Sequence, residues 1–170
     1  DFDLSSDIAM NEKAQIQLVE LKGGRSRNIV PDEAVCLLKC ENPEVTAQTM
    51  VLPKQVTAKI CDGFLKLTSK GISTHCMSPE KGCNAVSILL ETLGQFGEEF
   101  SHNSYMEKFH QAIGMDYDGA RLGCAMEDSA GALTFNVGTV CMQSDGQIFL
   151  QCNIRYPASV EYSVIRELLE

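Results

Sequence analysis

At 170 residues, 44% of them hydrophobic, the chain is long enough to bury a core and too apolar to stay disordered. Its formal net charge of −9 offers little to phosphate backbones or anionic lipid, which argues against nucleic acid and membrane surfaces as partners. No apolar run approaches the roughly 20 residues of a membrane span. Asp1-Phe2-Asp3-Leu4 has neither the basic start nor the apolar segment of a signal peptide, so a cytoplasmic location is expected.

In chain order, Ala14 to Lys22 alternates as a strand that the Gly23-Gly24 pair breaks. Pro31 then opens a short helix, with Asp32 and Glu33 in a first turn whose dipole suits acidic side chains and Val35 and Leu38 on the apolar side. Asp62-Gly63 between Val56–Cys61 and Phe64–Thr68 predicts a hairpin. A polar run follows and ends at His75, expected at the end of a strand, before a turn at Pro79 and Gly82. Ala85, Ile88, Leu89, Leu93 and Phe96 recur at helical spacing until Gly97. Asn103 to Ile113 reads as a third helix, with Tyr105, Met106, Phe109 and Ile113 on one side. Leu122–Met126 follows, then Leu133–Met142 and Gln147–Ile154 joined at Ser144-Asp145-Gly146 as a second hairpin, and a last helix from Val160. Helices between hairpins give an α+β class, helices packed on antiparallel sheet.

The eight cysteines include no C-x-x-C pair; the nearest two are Cys36 and Cys40. Cys61, Cys124, Cys141 and Cys152 stand among apolar residues, where a thiol behaves as a small hydrophobe, so reduced and mostly buried cysteines are expected. Hydrolytic zinc sites use three or more converging ligands. Here there are three histidines, no H-x-D and no H-E-x-x-H, and the one Glu-Glu pair, Glu98-Glu99, sits in a polar connection. His102 and His110 read as surface residues. His75 and Cys76 are neighbours whose side chains diverge on extended backbone, which disfavours a Cys-His nucleophile. Gly23-Gly24-Arg25 lacks both a P-loop lysine and a G-x-G-x-x-G spacing.

Three separated segments carry a family likeness, and they keep their order. Gly23-Gly24-Arg25-Ser26-Arg27-Asn28-Ile29-Val30-Pro31 is similar to a G-G-x-x-x-N-x-V-P turn. Gly71-Ile72-Ser73-Thr74-His75-Cys76-Met77-Ser78-Pro79-Glu80-Lys81-Gly82-Cys83-Asn84-Ala85 resembles a G-x-S-x-H-x-x-x-P-x-x-G-x-N-A signature. Asn136 to Gly138, with Asn153-Ile154-Arg155-Tyr156-Pro157, resembles a late strand ending in R-Y-P. These are features of the lid domain in the zinc aminoacylase, carboxypeptidase and dipeptidase superfamily, nearest to the bacterial carnosinase-type (Xaa-His) dipeptidases. Thr74 and Cys76 depart from the pattern, standing where small residues such as Ala and Gly are usual beside the histidine.

The resemblance implies that residues 1–170 are a lid of two ferredoxin-like lobes, roughly 1–65 and 66–170. It implies a catalytic domain of the same polypeptide outside this chain, holding a zinc pair and the general-base glutamate, and a dipeptide as substrate. In that scheme a zinc-bridging water attacks the scissile carbonyl. His75 supplies the hydrogen bond to the developing oxyanion, Arg155 holds the substrate's C-terminal carboxylate, and Asn28 helps fix that end. Asn136 is a weaker candidate. The 170 residues alone are expected to be inactive and to bind no catalytic zinc, and an exposed sheet edge invites self-association. A free-standing ferredoxin-like module for ligand binding or dimerisation fits the composition equally well; the joint placement of His75 and Arg155 discriminates between the two.

Overall fold

The computed structural model describes residues 10–169, so the reading of Asp1–Leu4 lies outside the described residues. Its strands are β1 (Gln17–Gly23), β2 (Glu33–Lys39), β3 (Val56–Cys61), β4 (Phe64–Lys70), β5 (Glu127–Asp128), β6 (Gly131–Ala132), β7 (Thr134–Met142) and β8 (Ile148–Arg155). Its helices are α1 (Pro43–Thr49), α2 (Ala85–Leu93), α3 (Asn103–Ala112) and α4 (Tyr162–Leu169), with 3-10 turns at Pro79–Lys81 and Gly94–Glu99. The class is α+β. Six strands form one sheet in the order β3-β4-β2-β1-β7-β8, antiparallel at every pairing, and β5-β6 is a separate small hairpin. β1 meets β7 only through Lys22↔Cys141 and Gly23↔Val140. β4 runs through the expected lobe boundary near residue 65, and strands from both sides of it share this sheet.

One sheet face carries the core. Ala34, Cys36 and Leu38 of β2, and Leu65 and Leu67 of β4, point into it at 1% exposure or less. α2 lies against β2, β4, β7 and α3, with every residue except Glu91 buried. Asn84 caps it, its Oδ1 accepting from the Val86 and Ser87 N–H groups at 3.0 and 3.1 Å, two of the donors a helix start leaves unpaired. α3 adds Tyr105, Met106 and Phe109. No helix among the described residues is long and apolar enough to cross a membrane.

Several expectations need correction. The helix read from Pro31 is strand β2. Its backbone bonds to β1 on one edge and β4 on the other, and paired edges on both sides outweigh an acidic first turn. His75 does not end a strand: β4 stops at Lys70, and His75 sits five residues on, in an isolated bridge to Ile29. The helix from Ala85 stops at Leu93, and the Gly94–Glu99 turn carries the chain on to Gly97 at φ 54°. Leu122–Met126 is irregular chain. All eight cysteines are free, but only Cys36, Cys76 and Cys124 are buried, four are half-buried and Cys141 is exposed; Cys36 is fully buried, and burial pushes its thiol up to about 12.

His102 is also not a surface residue. It is 6% exposed, and its ring closes a relay. The Leu18 N–H donates to Ser101 Oγ at 3.0 Å, the Ser101 hydroxyl lies 2.8 Å from His102 Nδ1, and Nε2 lies 2.9 Å from the Gly146 carbonyl oxygen. A neutral ring with its proton on Nε2 satisfies all three contacts. Burial lowers the His102 pKa, only partly opposed by the Gly146 contact. The unfolded chain therefore takes up the proton first, near pH 6.5. The stability His102 contributes is complete above that pH and is lost as pH falls below it. Tm of the chain should accordingly fall between pH 7.5 and 5.5 more steeply than that of His102→Gln, measured by scanning calorimetry; equal slopes contradict the relay.

Candidate functional site

Two segments far apart in sequence run side by side at the turn after β1. The Val30 N–H donates to the Thr74 carbonyl at 2.9 Å, and the Cys76 N–H donates to the Asn28 carbonyl at 3.0 Å, with the Ile29↔His75 bridge between them. Asn28 and His75 are therefore brought together by backbone bonds on extended chain. Glycine makes the turn feasible. Gly24 has φ +73°, and a Cβ there would stand 1.9 Å from the Gly138 carbonyl oxygen; a Cβ on Gly138 would stand 2.2 Å from Arg27 Cα.

Asn136, buried at 2%, holds this turn from below. Its Nδ2 donates to the Arg27 carbonyl at 3.0 Å and the Ile29 carbonyl at 3.1 Å, the residues on either side of Asn28. Its Oδ1 accepts from Asn84 Nδ2 at 3.3 Å, and the same Nδ2 donates to the Val137 carbonyl at 2.9 Å. Both donors of the Asn136 amide and one acceptor position of its Oδ1 are taken by protein, so its role is to fix the turn that presents Asn28.

β8 reaches the same cluster. Asn153 is the register partner of Asn136, and Cys76 Sγ donates to Asn153 Oδ1 at 3.2 Å. Arg155 lies two residues beyond Asn153, so both project from the same side of the strand. Cys152 and Ile154, which alternate with them, pack on the core. Arg155 is exposed and takes part in no ion pair among the described residues.

His75 is exposed, and its ring orientation is defined. The Met77 N–H donates to His75 Nδ1 at 3.2 Å, so a neutral ring carries its proton on Nε2, the outward nitrogen. Asn28 is exposed too. Its Oδ1 accepts from Ser26 Oγ at 2.5 Å, which leaves Nδ2 as a donor with no partner among the described residues. Cys76 points to Asn153 and away from the His75 ring, so the two form no thiol–imidazole pair. A cleft of ≈ 180 Å³ bordered by Val30, Pro79, Asn84, Tyr117, Phe135 and Asn136 opens beside the cluster, but Asn28, His75 and Arg155 do not line it. These three present donors on an open surface. Among the described residues no group of three or more His, Cys, Asp or Glu side chains converges as a metal site.

Sequence reasoning places Cys76, Asn84 and Asn153 within the resembling segments but assigns them no part in holding the site together. Asn84 ahead of an apolar helix is a legible cap; Cys76 and Asn153 meet across 77 residues and leave no local signal.

No family model matches the chain. It is 31% identical over 159 residues to a Bacillus subtilis (strain 168) protein named "Putative dipeptidase YtjP", a match covering 90% of this chain and 34% of that protein. It is 25% identical over 169 residues to the Staphylococcus aureus (strain bovine RF122 / ET3-1) protein named "Putative dipeptidase SAB1611c", covering 92% of this chain and 36% of that one. The chain resembles about one third of each dipeptidase-named relative. The likeness runs through 90% and 92% of this chain in the two matches.

Proposed function

We propose that this chain is the substrate-closing lid of a longer zinc-dependent dipeptidase of the carnosinase type. The observation that carries the reading is the arrangement of its donors. An imidazole N–H, a carboxamide and a guanidinium stand exposed on one cluster of segments, and these are tied together underneath by the buried Asn136 and the half-buried Asn153. All three are exposed, which suits a surface that works when closed against another wall. The similarity to one third of dipeptidase-named proteins supports a second wall elsewhere in the polypeptide. Among the described residues no group of three or more His, Cys, Asp or Glu converges, and in this reading the zinc ligands belong to the rest of the longer protein.

In this reading the Arg155 fork takes the substrate's C-terminal carboxylate in two parallel charge-assisted bonds, a geometry lysine cannot copy. Asn28 Nδ2 donates to the same end. His75, with Nδ1 already occupied by the Met77 N–H, directs Nε2–H at the scissile carbonyl oxygen. That bond strengthens as the oxygen gains charge, which is how a positioned donor lowers a barrier more than it tightens substrate binding.

The test compares a dipeptide with its C-terminal amide in the longer protein. Arg155→Ala should raise KM for the free acid by about 10- to 100-fold, as expected for losing a charged hydrogen bond, and leave the weak turnover of the amide unchanged. Arg155→Lys should recover little. An equal loss on both substrates removes the clamp, and failure of the longer wild-type protein to cleave any dipeptide removes the function.

A further inference from the structure

We infer that Cys76 is a positioning residue that sets His75 relative to Arg155, an inference that rests on the lid reading above. Three observations meet at this one residue. Its backbone N–H donates to the Asn28 carbonyl at 3.0 Å, its thiol donates to Asn153 Oδ1 at 3.2 Å, and it follows His75 directly in the chain. Its side chain is 1% exposed, so its position is fixed by packing on every side.

These bonds close a ring through the protein. Starting at Asn28, the path runs by the Cys76 backbone to the Cys76 thiol and on to Asn153. It then crosses the β7–β8 ladder to Asn136 and returns through the Asn136 amide to the carbonyls of Arg27 and Ile29, on either side of Asn28. Each segment that carries a proposed substrate contact is a member of this ring or within two residues of one. Among the described residues the thiol bond is the one side-chain hydrogen bond linking the His75 segment to β8. Without it, Thr74–Met77 is tied by backbone bonds to the Asn28 turn, and the described residues show no other hydrogen bond from this stretch to β8. A cluster that grips the two ends of one small substrate needs that distance fixed, because a displacement of about 1 Å can cost roughly 100-fold in rate.

Cys76 differs from Cys36, and also from Cys124, whose thiol donates to the Gly119 carbonyl oxygen five residues away at 3.4 Å. Cys36 sits in the apolar core as a hydrophobe, whereas the Cys76 thiol has a polar acceptor on a neighbouring strand. Serine at this position keeps the donor with a shorter reach; alanine removes it with little change in volume.

The experiment has a structural arm on this chain and a kinetic arm on the longer protein. In 15N-labelled chain, Cys76→Ala should shift the His75 ring nitrogens and the side-chain amides of Asn28 and Asn153, while Cys76→Ser leaves them near wild type. In the longer protein, Cys76→Ala should lower kcat/KM by about 10- to 100-fold, mostly in kcat, with serine restoring the rate to within about threefold of wild type. Asn153→Ala, which removes the acceptor from the other side, should have the same effect. The Cys76→Ala/Asn153→Ala double variant should be no worse than either single variant. Additive losses, or a Cys76→Ala variant with unmoved His75 signals and normal kinetics, overturn the inference. If Cys76→Ala fails to fold, Asn153→Ala still decides. If His75→Ala leaves kcat untouched, the lid reading fails, and the amide and ring signals still report whether Cys76 positions the segment.

Discussion

On the proposed lid role, His75→Ala in the longer protein should lower kcat for a dipeptide by about 100- to 1,000-fold while KM stays within a few-fold, the loss of about 2.7–4 kcal/mol expected when an oxyanion donor is removed. The direction follows from the ring's surroundings. Nδ1 accepts from Met77, so Nε2–H is the donor the neutral ring can offer, and nothing among the described residues occupies it. The same change should leave the stability of the 170-residue chain within about 0.5 kcal/mol of wild type, because His75 is exposed and bonds only within its own turn. His75→Gln, which also presents an N–H, should recover part of the rate. Steady-state kinetics on a dipeptide and a urea titration of the chain measure the two halves. A rise in KM at unchanged kcat removes the oxyanion role.

Asn136→Asp should be the most destabilising conservative change near the site, by about 3–5 kcal/mol, the range for an uncompensated buried charge. Asn136 donates to two carbonyl oxygens from a position 2% exposed to solvent. A carboxylate of the same shape places oxygen against oxygen at both contacts and strands its charge in the protein. Asn136→Ala leaves the same carbonyls unpartnered without adding a charge, so it should cost less, about 1–3 kcal/mol for each group left unsatisfied and not compensated by water. The urea midpoint of the chain separates the two variants. The order wild type, Ala, Asp supports the asparagine as the anchor of the Asn28 turn. An aspartate variant as stable as wild type rejects it.

Much of the fold is legible where a local signal decides the structure. Asp62 and Gly63, at φ 51° and 80°, form the left-handed two-residue turn that the Asp-Gly pair announces. Asn84 before an apolar run marks the start of α2, and Gly146, at φ +85°, marks the turn between β7 and β8. Where tertiary pairing decides, the sequence misleads. Glu33–Lys39 is apolar on both faces because it is a central strand, and behind Pro31 and two acids that pattern imitates a helix start. α1 was signalled by Asn42-Pro43-Glu44, a cap, a first-turn proline and an acid, yet none of its residues is buried to give it an apolar stripe.

The site divides in the same way. Asn28, His75 and Arg155 stand out because each sits in a run of unusual residues that resembles a known pattern. The machinery beneath them does not. Cys76 reaches Asn153 across 77 residues and Asn136 reaches Arg27 across 109, and a single sequence holds no trace of such pairings. His102 was misread for a related reason: its partner carbonyl at Gly146 lies 44 residues away, and only the folded chain shows that the ring is enclosed.

The measurement that bears most directly on the central claim is the crystal structure of the longer protein with a tetrahedral phosphinic analogue of a dipeptide. The account predicts His75 Nε2 about 2.7–3.1 Å from the phosphinyl oxygen, the distance of an oxyanion donor, with the Arg155 fork on the analogue's terminal carboxylate. An analogue bound with His75 and Arg155 both turned away from it, and its oxyanion contacted from elsewhere, would contradict the account.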